Sequence, residues 1–384
     1  MRILFVNHLL DQVSGGGTAE RTFQLLRFMA MSGERCSVIT LDIGLTSARL
    51  SELESVRVHA IPCINRRFFV PKISFAKIMN LVSEVDVVQL SGHWTLLNAM
   101  VFRACRRLKK PYLFCPAGAL RSFGRSLIIK RLYDKLVGRD ILLGASHCVA
   151  ITDDECDDFT SFGVAADRQE VIPNGIDPAA YQLDNPDQSI AEFRITHCLG
   201  NAPYVLFLGR LNEIKGPDLL LDAFISIAAR FPDLLLVFAG PNGGMGEELQ
   251  AKVVVEGLCG RVRFTGFLGG RNKAAALKGA TLLAIPSRHE AMSIVVLEAG
   301  SCHCPVLFTD ACGLGELAKR NAGIQVSVQT ADIARGLASA LADPDTREHS
   351  AHLLAEIVAK EYLWSIQASR YLELCRKIIL GKSV

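Results

Sequence analysis

Tyr204-Val-Leu-Phe-Leu-Gly-Arg-Leu-Asn-Glu-Ile-Lys-Gly-Pro-Asp218 decides the fold. Its first five residues form a short apolar run closed by glycine, the pattern of a strand buried on both faces of a parallel sheet. A loop with two cations, Arg210 and Lys215, follows, and helical spacing runs on over residues 218–231. The theme recurs downstream, with apolar runs at 234–239, 262–265, 282–285 and 305–308 and a helical pattern over 331–341. Upstream, the runs at 3–6, 36–41, 85–90, 112–114 and 148–151 alternate with helical stretches at 19–32 and 96–108. Strand–helix alternation predicts an α/β fold with parallel sheets. Its restart at Tyr204 predicts two doubly wound, Rossmann-like domains with ligand crevices at the carboxyl ends of their strands.

The boundary falls in a stretch rich in turn formers, Ile172-Pro-Asn-Gly-Ile-Asp-Pro178 through Asp184-Asn-Pro-Asp187. The expected domains are therefore 1–182 and 183–361. A last helix, from about residue 362 towards 384, carries Trp364, Tyr371 and Leu374 at helical spacing. It either extends the second domain or crosses back to cover the first.

A chain of 384 residues, half of them apolar, can fill two such cores. The net charge of +3 is too small to argue for nucleic acid. Its distribution is uneven: residues 60–150 hold fifteen Lys or Arg against four acids. Part of that surplus lies in the amphipathic stretch 121–139, where Phe123, Leu127, Ile128, Leu132 and Leu136 are set against Arg125, Lys130, Arg131 and Lys135. With Arg66-Arg-Phe-Phe-Val70, it is a candidate for peripheral contact with an anionic bilayer, weighed against a helix packed on its own domain.

The twelve cysteines follow no paired spacing, which fits free thiols in a reducing compartment better than a disulfide framework. Cys302-His303-Cys304 is too tight to close around a metal, so no metal site is expected. The amino terminus reads as a first strand and not as a signal peptide. No run reaches the length of a membrane span, and a cytoplasmic protein is the expectation.

The chemistry gathers in two segments. Arg210 and Lys215 sit where a buried strand delivers them to the crevice, and such cations suit a pyrophosphate. Ser287-Arg-His-Glu-Ala-Met-Ser-Ile-Val-Val-Leu-Glu-Ala-Gly300 carries Glu290 and Glu298, eight positions apart. Glu298 lies in apolar company, where a carboxylate needs a specific partner. Carboxylates suit sugar hydroxyls, so the two segments together point to a nucleotide sugar. Ser14-Gly-Gly-Gly17 after the first strand is a weaker anion-binding candidate. His93, after another strand, is an acceptor-side candidate weighed against an ordinary structural histidine.

These motifs resemble those of retaining glycosyltransferases of the group 1, family 4 type, which have the two-domain fold called GT-B. The resemblance rests on the glycines at 15–17, Val171-Ile-Pro-Asn-Gly-Ile-Asp177, Gly209-Arg-Leu-Asn-Glu-Ile-Lys-Gly216, Val237-Phe-Ala-Gly240, Arg263-Phe-Thr-Gly-Phe267, Glu290 to Glu298, Gly313-Leu-Gly-Glu316 and Trp364. It implies that Arg210 and Lys215 hold the donor diphosphate, that Glu298 binds the ribose hydroxyls and that Glu290 contacts the donor sugar. It also implies that backbone amides of Ser293, Ile294 and Val295 complete a phosphate cradle, approached by Gly16 and Gly17. Glu290, Arg210 and Lys215 are the expected catalytic set, with no metal and no cofactor beyond a UDP- or GDP-linked donor substrate. The terminal helix is expected to cross back to the first domain.

The implied activity is transfer of a hexose-type sugar to a glycan or lipid-linked acceptor, in cell-surface or exopolysaccharide biosynthesis. The rivals are a sugar-nucleotide epimerase of the same fold and an inactive sugar-nucleotide sensor or partner subunit. Three departures bear on this reading. Ala117 stands where many relatives have histidine, Ala291-Met292-Ser293 replaces Gly-Phe-Gly, and His303 interrupts a helix ending usually made of small residues.

Overall fold

In a computed structural model, residues 1–120 and 127–381 are described. The chain forms two compact units, Met1–Gly175 with Trp364–Val384, and Ile176–Leu363. The turn Pro178–Tyr181 lies in the second unit, where the Tyr181 ring sits 5.4 Å from Lys273 Nζ. The helix Trp364–Ile379 lies in the first, burying Trp364, Tyr371 and Leu374.

The first unit is built on β1 (Arg2–Val6), β2 (Arg35–Leu41), β3 (Arg57–Ile61), β4 (Cys63–Asn65), β5 (Val70–Pro71), β6 (Val87–Ser91), β7 (Tyr112–Cys115), β8 (His147–Ala150) and β9 (Gln169–Val171). Seven of these make one parallel sheet in the order β3-β2-β1-β6-β7-β8-β9, and β4 and β5 form a separate antiparallel hairpin. Apart from Arg2 at the start of β1, the central strands β1, β6 and β7 are buried, in keeping with their largely apolar sequences.

The second unit holds β10 (Tyr204–Leu208), β11 (Leu235–Ala239), β12 (Val262–Gly266), β13 (Leu282–Ile285), β14 (Val306–Thr309) and β15 (Ile324–Val326). They form a parallel sheet in the order β12-β11-β10-β13-β14-β15. Leu206, Phe238 and Leu283 are fully buried.

Both orders reverse direction once, between β1 and β6 in the first unit and between β10 and β13 in the second. At such a switch point the loops leaving two neighbouring strands diverge to opposite faces and open a crevice beyond their carboxyl ends. That geometry singles out four loops: 7–11 and 92–95 in the first unit, 209–216 and 286–293 in the second.

Candidate functional site

The second unit's loops are locked together before any ligand is considered. Asn212 caps the short 3-10 turn Glu213–Lys215 by accepting from the Lys215 N–H at 3.0 Å. Gly216 follows with φ 67°, and a Cβ there would come within 2.1 Å of the Pro286 carbonyl oxygen, so only glycine lets the two loops touch. Arg288 completes the latch. Its guanidinium donates to both Asp218 carboxylate oxygens at 2.8 and 2.5 Å and to the Glu213 carbonyl at 2.7 Å. Burial pushes the Asp218 carboxyl up, but the hydrogen bonds and charge of Arg288 outweigh it and hold the group below the usual carboxylate range.

The latch brings Lys215 to Glu290, with Nζ 2.8 Å from Oε2. Ser287 Oγ donates to the other oxygen, Oε1, at 2.5 Å. Both carboxylate oxygens are thus engaged, and the Glu290 N–H donates to the Ala311 carbonyl at 2.8 Å. Arg210 leaves β10 on the same loop; it is exposed, and its aliphatic stem lies over Gly243. Cys312, beneath the Glu290 loop, stays a thiol, its pKa pushed up to about 12 chiefly by burial.

Glu298 lies one turn into the helix Ile294–Ser301 and is 7% exposed. Its Oε1 accepts from Lys273 Nζ at 2.8 Å, while its buried Oε2 has no partner. Lys273, from the helix Gly270–Lys278, is a residue the sequence motifs did not single out. Nothing in its local pattern marks it; only the packing of two helices reveals that it holds Glu298.

The expected amide cradle needs one correction. The Ser293 N–H donates to the Cys312 carbonyl at 3.3 Å and is already used. The amides of Ile294 and Val295, in the first turn of the helix, have no acceptor within it. The Ser293 hydroxyl is buried, makes no cap to the helix and has no partner. Ser293 thus places an unpartnered side-chain hydroxyl at the start of this helix.

The first unit answers differently at its switch point. Gly16 and Gly17 do not form a free loop but lie within the helix Gln12–Met31, which is kinked at Gly16, φ 57° and ψ −145°. Both glycines are exposed, and no atom lies within 4 Å of a Cβ placed at 16, so backbone conformation alone calls for glycine there. The His93 side chain is 0% exposed. Its Nε2 lies 2.8 Å from Asp134 Oδ1, which also accepts from Trp94 Nε1 at 2.9 Å. Its ring packs among Trp94, Phe114 and Tyr133, and its buried Nδ1 has no partner.

Arg21, also unanticipated, is 3% exposed and donates to the Ile172 carbonyl at 2.5 Å, the Pro173 carbonyl at 2.8 Å, Asn174 Oδ1 at 3.0 Å and Tyr371 Oη at 3.2 Å. The Pro-Asn-Gly motif thus ties the first helix to the last. Of the stretch 121–139, residues 121–126, with Phe123 and Arg125, lie outside the described residues. Cys302 and Cys304 are buried, and burial raises both thiols, Cys302 to about 12. Among the described residues, no group of three or more His, Cys, Asp or Glu could hold a metal ion.

Comparison with known proteins places this geometry. Residues 190–352 match the family described as "Glycosyl transferases group 1", and residues 15–180 match "Glycosyltransferase Family 4". The chain belongs to the group 1 glycosyl transferases. Among curated relatives in this group, it is 30% identical to a D-inositol 3-phosphate glycosyltransferase of Jonesia denitrificans over 65% of this chain and 61% of the relative. It is 30% identical to the alpha-D-kanosaminyltransferase of Streptomyces kanamyceticus over 49% of each. The chain thus spans only about half to three-fifths of the curated relatives it matches. Among solved structures, Anabaena HepE in complex with UDP and glucose superposes with a TM-score of 0.81 at 19% identity, covering 98% of this chain and 100% of that one. Sucrose-phosphate synthase from Thermosynechococcus elongatus gives 0.78 at 19%, covering all of both chains. These likenesses establish the GT-B fold. They do not separate transfer from epimerisation, since a putative UDP-N-acetylglucosamine 2-epimerase from Listeria monocytogenes shares the fold with a TM-score of 0.67.

Proposed function

We propose that the chain is a retaining glycosyltransferase that moves a hexose-type sugar from a UDP- or GDP-linked donor to a glycan or lipid-linked acceptor. The observation that carries the donor reading is Glu298: one oxygen is held by Lys273, and the other is buried without a partner. A buried acceptor left unpaired is costly unless a ligand satisfies it, and a ribose hydroxyl is a donor of the right kind. Lys215 and Arg210 at the adjoining switch-point loop and the free amides of Ile294 and Val295 suit the diphosphate that follows the ribose.

The chemistry follows from where charge develops. As the bond from the anomeric carbon to the diphosphate breaks, its electron pair moves to the leaving oxygen and the sugar becomes oxocarbenium-like. Lys215, Arg210 and the helix amides stabilise that leaving charge, so cationic side chains do the work a divalent metal does elsewhere. Glu290, held by Ser287 and Lys215, is placed to orient the donor sugar. In the reading implied by the family resemblance, the acceptor hydroxyl attacks from the leaving-group face, retaining configuration, and a phosphate oxygen takes its proton. Sugar and acceptor class, a role in cell-surface or exopolysaccharide synthesis and a cytoplasmic site of action come from the same resemblance.

Thermal melts of the protein against a panel of UDP- and GDP-linked sugars test the donor reading. A true donor at about 100 times its Kd adds roughly 2.7 kcal/mol of stability. Product assays on the hit, with and without candidate acceptors, then discriminate. Transfer that requires acceptor supports the proposal. A sugar with an inverted ring carbon formed without acceptor indicates the epimerase, and binding without turnover indicates a sensor.

A further inference from the structure

Among the described residues, the stretch that continues from residue 127 has an exposed apolar face. The helix Leu127–Tyr133 and the π-helical turn Asp134–Gly138 already have an inward side, since Tyr133 and Val137 pack against the core of the first unit. A second row remains outside: Ile128, Leu132 and Leu136 are 81, 54 and 69% exposed. A helix packed only on its own domain would not keep an apolar row four residues apart in water. Arg131, Lys135 and Arg139 are exposed among them. The one acid in that span, Asp134, is occupied by His93 and Trp94.

The β4–β5 hairpin repeats this chemistry. Phe69 packs against the core and meets the His8 ring at 5.1 Å, leaving Ile64 and Phe68 exposed at 66 and 53% beside exposed Arg66 and Arg67. The two elements are anchored at the same edge of the sheet. His8 lies just past β1, while Tyr133 Oη donates to the Thr95 carbonyl at 3.0 Å just past β6, and β1 and β6 are paired neighbours.

We infer that the carboxyl edge of the first unit docks on an anionic lipid bilayer, with Ile128, Leu132, Leu136, Ile64 and Phe68 entering the headgroup layer and the flanking arginines and lysines meeting lipid phosphates. Apolar side chains ringed by cations match the two attractions that hold an interfacial element. A second copy of the chain is the poorer occupant, because it would set cations against cations. Among the described residues no helix is long and apolar enough to cross a membrane, so the contact is interfacial. A lipid-linked acceptor would then meet the enzyme at the edge where the switch-point crevice of this unit opens.

Flotation of the full chain with phosphatidylcholine vesicles, with and without phosphatidylglycerol, tests this without requiring any transferase activity. Vesicles containing phosphatidylglycerol are expected to carry the protein up the gradient, less so at high salt, and neutral ones are not. The double variant Ile128→Ser/Leu132→Ser should bind at least about tenfold more weakly, and Arg66→Gln/Arg67→Gln should weaken binding and flatten its salt dependence, both with unchanged melting by circular dichroism. No flotation with anionic vesicles overturns the inference. So does equal flotation of the serine variant, or a dimer in size-exclusion chromatography that the serine variant dissolves.

Discussion

The two units share a strand order but fill its turning point with opposite things. In the second, the loops after β10 and β13 present Lys215 and Arg210, with Glu290 held ready and one oxygen of the neighbouring Glu298 unsatisfied. In the first, several polar groups near the loops after β1 and β6 are consumed internally, while the buried Nδ1 atoms of His8 and His93 have no partner. Asn7 Nδ2 donates to the Thr18 carbonyl and Thr22 Oγ1 at 3.1 and 2.9 Å, His93 is buried against Asp134, and Arg21 is spent on the Pro-Asn-Gly motif. What the difference teaches is that a doubly wound topology supplies a crevice, while the cations and carboxylates gathered at its mouth mark which crevice suits a diphosphate.

Removing the second unit's contacts should produce the largest effects. Lys215→Ala is expected to lower kcat/KM for transfer about 100- to 1000-fold while the melting temperature holds. Glu298→Gln is the cleaner partner test than Glu298→Ala, because both remove the charge facing Lys273 but glutamine keeps the side-chain volume and an oxygen that accepts from Lys273. Glutamine should weaken donor binding with a smaller loss of stability than alanine causes. Near-normal kinetics in both variants would sink the assignment of the site.

The first unit should respond in stability instead. Arg21→Met removes the donor shared by three backbone and side-chain oxygens and Tyr371, for an expected loss of roughly 3 kcal/mol in urea unfolding. The chain's two tryptophans, Trp94 and Trp364, both lie in the first unit, so their emission reports its unfolding selectively. An unchanged midpoint would show that the network is dispensable, and a specific loss of donor affinity would erase the contrast between the units.

The smallest effect is a pH slope confined to the first unit. Burial lowers the His8 imidazole to about 4, below its ordinary 6.5. Between those values the unfolded chain binds more protons than the folded one, so stability rises with pH there and is lost as pH falls. From about pH 6.5 to about pH 5 the loss should reach roughly 2 kcal/mol in wild type and be much reduced in His8→Gln. Equal slopes in the two proteins would count against His8 as the source.

How much of this is legible without coordinates depends on burial. The central strands announce themselves because both faces are dry, and β10 and β13 occupy 204–208 and 282–285, as the apolar runs predict. The edge strands β3, β9 and β15 were not anticipated: half-exposed, they carry residues such as Arg57, Glu170 and Gln325 and break the apolar run. The same logic governs the site. Lys215 and Glu290 belong to loops adjoining buried strands and can be read in one dimension. Lys273 and Arg21 act on partners 25 and about 150 residues away, a relation that exists only after packing. The use of the Ser293 amide by Cys312 is likewise invisible until two loops meet.

The way the chain leaves and re-enters the first unit has a consequence for how the protein is made. Ile176 and Leu363, the two ends of the second unit, are bridge partners, so that unit is a closed insertion whose termini meet. Synthesis proceeds from the amino end, and domains fold largely as they emerge. The second unit is complete once Leu363 is out of the ribosome. The first still lacks the helix that buries Trp364, Tyr371 and Leu374 and gives Arg21 its last partner. Of the two units, the one that emerges first is therefore the one completed last, and until then its Arg21 end lacks its Tyr371 partner.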